Sequence, residues 1–424
     1  MHVRIVGAGW AGLAAAIAAC QRGWQVTLMD ASHQAGGRAK RITSPNASHA
    51  FDNGQHILIG AYRDTRRLMH TVGVDERAVL MRLPLDLRDV QGHGLQLPDG
   101  PKPLNVLAGL WRARGWSGQD KWRLFKAATA WQWRGFTCAP DWTVRQLCEA
   151  HQLTPKLIDT LIEPLCLSAL NTAIHEASAA VFLRVLHDAL FSERRGSDFL
   201  IPKADLSAVF PDAALNWLIA RGVDWQSGQS VDAQTLTQML PSPTSSVRPR
   251  EAVVLATSAR QAALLTTDLA PAWSACAQGL SPRAIATVYL RVRDDSFQGL
   301  VRPMLALKNG PAQFVFCRQQ LMGHEGVIAA VVSDCLLPRA ALGTQVSAQI
   351  QQQLGLRHLE VLQILVDKHA TFACTPQLSR PSGQIANGLW ACGDYIAGPY
   401  PSTLEGAVRS GLQVIAQIAQ MHEA

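Results

Sequence analysis

Apolar positions open the chain as a short run at residues 3–6, broken only by Arg4. They return as an alanine-rich stretch at 11–22 and again as a run at 25–29 that ends on Asp30. The pattern predicts a buried strand, a helix closed by Gly23 and a parallel second strand, which together make a βαβ unit. Residues 63 to about 200 carry mostly helical patterning. Pro202 and Lys203 mark a junction, a helix is expected at 212–221 before Gly222, and 241–250 reads as a polar turn. A buried strand at 252–256 and a helix follow. Residues 284–335 alternate, with strands expected at 284–292 and 326–332. The segment 388–420 reads as strand, turn and a last helix from about Ser402. No internal repeat or low-complexity tail is present.

The turn after the first strand gives this pattern a chemistry. Gly7, Gly9 and Gly12 stand at the spacing G-x-G-x-x-G. The first allows a tight turn, the second lets backbone approach a pyrophosphate, and the third lets helix and strand pack closely. Free N–H groups at the helix start then face the phosphates. Asp30 follows Gly12 by 18 residues, close to where an acid bonds ribose hydroxyls.

Composition narrows the class. The chain has 424 residues, enough for two or three domains, with 17% charged and 48% apolar positions. No apolar run approaches the roughly 20 residues of a membrane span, and no secretory leader is read at the start. A cytoplasmic protein is expected, with peripheral contact at the inner face of the cell membrane left open. The nine cysteines form no CxxC pair, which fits reduced thiols and gives no zinc or iron–sulfur spacing. The net charge of +7 suits an anionic surface. No nucleic-acid module is recognisable, so lipid is the favoured partner of that charge. Residues 104–136 hold Trp111, Trp116, Trp122, Trp131 and Trp133 among Arg112, Arg114, Lys121, Arg123, Lys126 and Arg134, with Asp120 the one acid. Two readings follow: a basic aromatic face that touches anionic membrane, or tryptophans packed inside a helical domain.

The C-terminal stretch separates flavin from nicotinamide. A strand runs into Gly393 and Asp394, and a helix carrying Glu405, Gly406, Ala407 and Gly411 follows. Together with Gly7-x-Gly9-x-x-Gly12, Asp30 and Gly36-Gly37-Arg38, this set resembles the FAD-binding pattern of the flavin amine oxidase and phytoene desaturase superfamily. The resemblance implies an α/β fold: a Rossmann-like FAD-binding domain assembled from discontinuous segments, with a mixed α+β substrate domain and a helical insertion. The FAD segments would be 1–62, 199–270 and 381–424. A mostly helical, substrate- and membrane-facing region would fill 63–198, and a substrate-domain sheet 271–380. By the same resemblance Gly7, Gly9, Ala11, Gly12, Gly37, Gly54 and Gln55 join the cofactor set. Asp30 would bond ribose, Arg38 the pyrophosphate, and Asp394, beside Gly393, the ribitol. The backbone at Thr403 and Leu404 would approach the isoalloxazine, and Val231 would frame the adenine. No metal is implied.

Within the superfamily, the stretches "DNGQHILIGAY" (52–62), "PLCLSALNT" (164–172) and "ACGDYIAGPYPSTLEGAVRSG" (391–411) resemble the hydroxysqualene dehydroxylases of squalene and hopanoid biosynthesis. That resemblance implies reductive removal of an allylic hydroxyl from a long-chain isoprenoid, by hydride from reduced flavin N5 and with acid assistance to the leaving group. It also implies an unidentified electron donor and association with the enzyme that forms hydroxysqualene. His56 is the first candidate acid, and a structural histidine bonded to backbone is the competing reading. Tyr400 and Tyr395 are candidates as donors or as walls of the ring site. Asp52 reads as a turn residue and Glu163 as a remote alternative. Asn171 and Thr172 could bond the hydroxyl or cap a helix. Three alternatives stand beside this reading: a desaturase on the same fold, an amine oxidase, whose aromatic pair at the flavin Tyr395 and Tyr400 resemble only loosely, and a non-catalytic flavoprotein-fold escort for prenyl lipid.

Overall fold

The computed structural model describes residues 1–42, 50–100, 104–191, 195–240, 251–294 and 296–423. The polar turn expected at 241–250 lies outside them. The first strand, His2–Val6, pairs in parallel with Gln25–Asp30 on one side and Glu251–Leu255 on the other. The full sheet runs in the order Gln384–Ala386, Leu389–Ala391, Glu251–Leu255, His2–Val6, Gln25–Asp30, Asp224–Ser227. Every pairing is parallel except the first. The C-terminal ends of its strands therefore gather Gly7, Asp30, Ala256 and Gly393 at one edge, where open α/β sheets bind ligands.

The alanine-rich helix Trp10–Gln21 is buried around its whole girth. Its composition follows from what surrounds it. The sheet packs on one side, and the final helix, Leu404–Glu423, crosses the other. A Cβ on Gly411 would stand 2.2 Å from the Ala11 carbonyl oxygen. Backbone thus meets backbone there, and larger residues on either helix would force them apart.

A second sheet is wholly antiparallel, in the order Met304–Ala306, Phe314–Cys317, Val327–Ser333, Pro282–Val292, Leu359–Phe372. Alternation sorts its residues. Val288, Ala330 and Val332 pack under the helix Arg339–Leu354 with Leu342, Val346 and Ile350, while Tyr289, Phe316 and Val331 face the main core. The long edge strand Leu359–Phe372 is not among the strands the pattern predicted. Its sequence mixes charge with apolar residues, and its pairing carries two register shifts.

The helical region comprises Leu104–Arg112, Gly118–Trp133, Glu163–Leu170 and Ala179–Leu190. It also contains the strand Leu80–Leu83, which joins Leu58–Ile59 and Phe199–Pro202 in a small sheet. Before Glu163–Leu170 the chain widens into one π turn, Ile158–Ile162, closed by Glu163 N–H donating to the Ile158 carbonyl. Pro164 has no N–H to give Thr160, which favours that slip. No described helix is long and apolar enough to cross a membrane.

Candidate flavin and substrate site

One cavity of about 860 Å³ runs from the edge of the parallel sheet into the helical region. At the sheet end its wall is glycine backbone. Gly7 has φ +110° and its Cβ would lie 2.6 Å from the Ala256 carbonyl oxygen. Gly37, at φ +61°, lies against Gly9, with a built Cβ 3.1 Å from the Gly9 Cα. Two glycine turns thus touch each other and leave the space in front of them free of side chains. Asp30 braces the first of them and the start of the loop that leads to the second: one carboxylate oxygen accepts from Ala8 N and the other from Ser32 N, each at 2.7 Å. Val231 is alongside, where Gln229 N donates to the Asp30 carbonyl at 2.9 Å.

Gly12 has a different duty. A Cβ there would fall 1.9 Å from the Gly7 carbonyl oxygen, and Gly12 does not line the cavity. It packs helix on turn, while Gly7, Gly9, Ala11 and Gly37 form the wall.

Arg38 and Asp394, assigned by resemblance to different parts of a cofactor, are joined here. Arg38 Nη2 donates to Asp394 Oδ1 at 2.5 Å, and its Nη1 donates to the carbonyls of His369 and Ala370. The second Asp394 oxygen accepts from Ser402 Oγ. The neighbouring carboxylate raises the Arg38 pKa further, so the guanidinium stays charged on the cavity wall. The 394–400 turn is held from outside by Arg380, which donates to the carbonyls of Asp394, Tyr395, Gly398 and Tyr400. At the far side of the turn Thr403 starts the final helix, its Oγ1 accepting from Gly406 N at 3.0 Å. Thr403 and Leu404 line the cavity and bring the helix N-terminus to it. Glu405 serves another helix: its carboxylate accepts from Asp64 N, Thr65 N and Thr65 Oγ1, which caps Arg63–Thr71.

Gly54, Gln55 and His56 line the middle of the cavity. His56 Nδ1 lies 3.2 Å from the Gly54 carbonyl. That contact needs a proton on Nδ1 and leaves Nε2 as the exchanging nitrogen. Burial lowers the His56 pKa, opposed by the Gly54 contact. Asp52 is no ordinary turn residue. It is fully buried and pairs with the fully buried Arg318 at 3.0 Å, while its other oxygen accepts from Leu206 N. Burial pushes the Asp52 carboxyl up, and the Arg318 charge pulls it back. The same guanidinium donates to Gln55 Oε1 at 3.2 Å, so it positions the turn that carries His56.

The remaining candidates scatter. Tyr400 borders the cavity, but its hydroxyl donates to Asp188 at 2.7 Å and accepts from Arg184 and Arg409. Burial, and then Asp188, raises its pKa. Tyr395 does not line the cavity. It is buried behind Gly393, and its hydroxyl has no hydrogen-bond partner among the described residues. A facing Tyr395–Tyr400 pair is therefore not formed. Asn171 is the left-handed C-cap of Glu163–Leu170 and stitches the helix to Thr371 and Asp334. Thr172 accepts from Cys374 N. Glu163 lies off the cavity.

Beyond His56 the lining turns apolar, with Leu124, Trp131, Leu161, Phe182, Val185 and Leu186 among its residues. Arg318 and Arg380 carry no sequence signal of their own. Each is a lone arginine whose partners are backbone or side chains brought up by the fold.

Glycine turns that leave the space before them free of side chains, a carboxylate and a guanidinium at the strand ends, and a helix N-terminus on the same cavity fit a flavin dinucleotide. Comparison with known proteins agrees. The model of the flavin containing amine oxidoreductase family matches residues 10–419. A hydroxysqualene dehydroxylase of Rhodopseudomonas palustris is 28% identical over 96% of each chain. Another, of Zymomonas mobilis, is 26% identical over 99% of each. Among solved structures, an oxidoreductase from Methanosarcina mazei superposes with a TM-score of 0.72 at 14% identity, over 98% of this chain and 100% of that one. Cyclohexylamine oxidase from Brevibacterium oxydans gives 0.65 at 16% identity, over 100% of this chain and 99% of that one. These structural likenesses carry the fold, and the family match carries the chemistry: the chain belongs to the flavin containing amine oxidoreductases and is an FAD-dependent oxidoreductase.

Proposed function

We propose that this oxidoreductase converts hydroxysqualene to squalene. The observation that carries the reading is the cavity itself, which joins a dinucleotide cradle to a long apolar lobe without a break. The curated relatives named for that activity, similar from end to end, point the same way. Reduced FAD supplies a hydride with its two electrons. The residues of the chain supply the rest. The allylic carbon–oxygen bond breaks as the hydroxyl takes a proton and leaves as water, and hydride fills the carbon. His56, which lines the cavity, is the proton donor in this scheme: Nδ1–H stays on the Gly54 carbonyl and Nε2 is the nitrogen that gives its proton. The apolar lobe excludes water from the developing allylic cation. Tyr400 serves as wall, its proton directed to Asp188.

The test is incubation of the reduced protein with hydroxysqualene, phytoene and simple amines. Squalene is the expected product, with deuterium at the former carbinol carbon when the flavin is reduced with deuteride. His56→Gln should lower turnover by about 100-fold or more with little change in flavin content. Oxidation of phytoene by the oxidised protein, with no action on hydroxysqualene, would replace this reading with a desaturase. Near-normal turnover in His56→Gln would remove His56 as the acid.

A further inference from the structure

Two of the helices that wall the apolar lobe have outer faces of an unusual kind. On Leu104–Arg112, the residues Leu104, Leu107 and Trp111 fall on one stripe and are exposed, Trp111 by 79%. On Gly118–Trp133, Trp122, Lys126, Thr129 and Trp133 form one exposed stripe, and Trp133 is 90% exposed. The inner faces of the same helices send Val106, Leu110, Leu124, Ala128 and Trp131 to the cavity. The five tryptophans of this stretch thus divide. Trp116 and Trp131 are buried as core, while Trp111, Trp122 and Trp133 are not.

The charge around them is one-sided. Arg112, Arg114, Lys126 and Arg134 are exposed, and Lys121 and Arg123 partly so. Asp120 turns inward, where its carboxylate accepts from Ser117 N and Thr154 Oγ1. Lys121 Nζ donates to the Trp111 carbonyl, which ties the end of one helix to the start of the next. Indole rings ringed by cations match the interfacial layer of an anionic bilayer, where each finds its own depth. Tryptophan left this exposed in water is otherwise uncommon.

The structure assigns this face as a docking surface for an anionic lipid bilayer. The surface stands on its exposed residues, whatever the cavity binds. It rests on the proposed function only for its purpose, which is to let an isoprenoid pass from membrane to cavity across a wall one helix thick, about 10 Å.

The test is sedimentation of the flavin-loaded protein with phosphatidylcholine vesicles, with and without phosphatidylglycerol. Wild type should pellet with the anionic vesicles at low salt and be released by high salt. The triple variant Trp111→Ala/Trp122→Ala/Trp133→Ala should bind at least about tenfold more weakly. Arg112→Glu/Arg114→Glu/Lys126→Glu should lose the preference for anionic lipid. Both should keep flavin content and melting temperature, because every replaced side chain is exposed. Wild type remaining in the supernatant at low salt would overturn the assignment, as would equal binding by the triple tryptophan variant. So would a solution dimer that the tryptophan replacements dissociate, since the face would then belong to a second copy. Turnover of detergent-dispersed hydroxysqualene, measured in parallel, reports on the substrate reading alone.

Discussion

At the dinucleotide end the cavity wall is mostly backbone; at the other end it is mostly side chain. Gly7, Gly9, Gly37 and Gly393 line the first end, where Arg38 and Asp394 are bonded to each other and Asp30 to the main chain. Leu124 lines the second from one helix, and Phe182, Val185 and Leu186 from another. At Gly7 and Gly37 the backbone wall is unforgiving, because an added carbon meets backbone that cannot rotate away, 2.6 Å from the Ala256 carbonyl oxygen and 3.1 Å from Gly9 Cα. Side-chain walls can be recut without moving the elements that carry them. A change of cofactor would thus need backbone to move at Gly7 and Gly37, while a change of substrate would need only side chains replaced in the apolar lobe.

The sharpest way to break this comparison lies within the glycine motif. Gly12→Val would drive its Cβ into the Gly7 carbonyl at 1.9 Å and should abolish folded, flavin-bearing protein. Gly9→Ala should fold, since its Cβ would meet nothing closer than Gly37 Cα at 3.8 Å and its backbone is not left-handed. It should still lose flavin, because Gly9 lines the cavity. Absorbance per folded chain, against melting temperature, separates the two. A yellow, stable Gly12→Val protein would refute the packing argument.

The same contrast explains what the sequence revealed. A backbone turn imposes its requirement on one residue at a time, so Gly7, Gly9 and Gly12 are readable as spacing. The strand-helix-strand around them is readable as a local pattern, and so is the last helix. The fold class followed from those local signals and the family resemblance. A contact between distant residues leaves no such trace. Arg318 is 266 positions from Asp52, and nothing beside either residue names the other. Arg38 and Asp394 were each legible as members of a cofactor motif, yet their mutual ion pair was not. Nor could composition say which tryptophans are core, because helix phase decides it: Trp131 turns inward and Trp133, two residues on, turns out.

Between the two ends stands the Asp52–Arg318 pair, and the next largest effect is expected there. Arg318→Met leaves a carboxylate buried without its cation and should cost about 3–5 kcal/mol. Asp52→Asn/Arg318→Met should recover most of that loss, because no uncompensated charge remains. Denaturant unfolding of the single and double variants measures this. Equal destabilisation of both would mean that the pair matters for shape more than for charge.

At the apolar end, Val185→Trp fills space without touching the dinucleotide cradle. Flavin content should stay at the wild-type level, and turnover of the long isoprenoid should fall by about tenfold or more. A short allylic alcohol should be affected less. Loss of flavin in this variant would show that the two ends are coupled, contrary to the division drawn above.

The smallest effect concerns the residue where the ends meet. Burial lowers the His56 pKa below its ordinary 6.5. As pH falls from 6.5 towards that lowered value, an unfolded chain protonates this histidine while the folded chain keeps it neutral. The unfolded state then binds more protons, so the contribution of His56 to stability is full above 6.5 and is lost on acidification. Catalysis by an imidazolium donor has the opposite sign: the active form gains population as pH falls through the lowered pKa, and the rate rises. One titration should therefore move stability down and turnover up across the same window. His56→Gln removes the titrating group and should flatten both slopes, with the stability difference from wild type changing by about 1–2 °C in melting temperature. Paired melting and turnover measurements from pH 6.5 downward check it. A stability slope that flattens while the rate profile of the residual activity keeps its shape would leave His56 as a buried structural residue and move the proton donor elsewhere on the cavity wall.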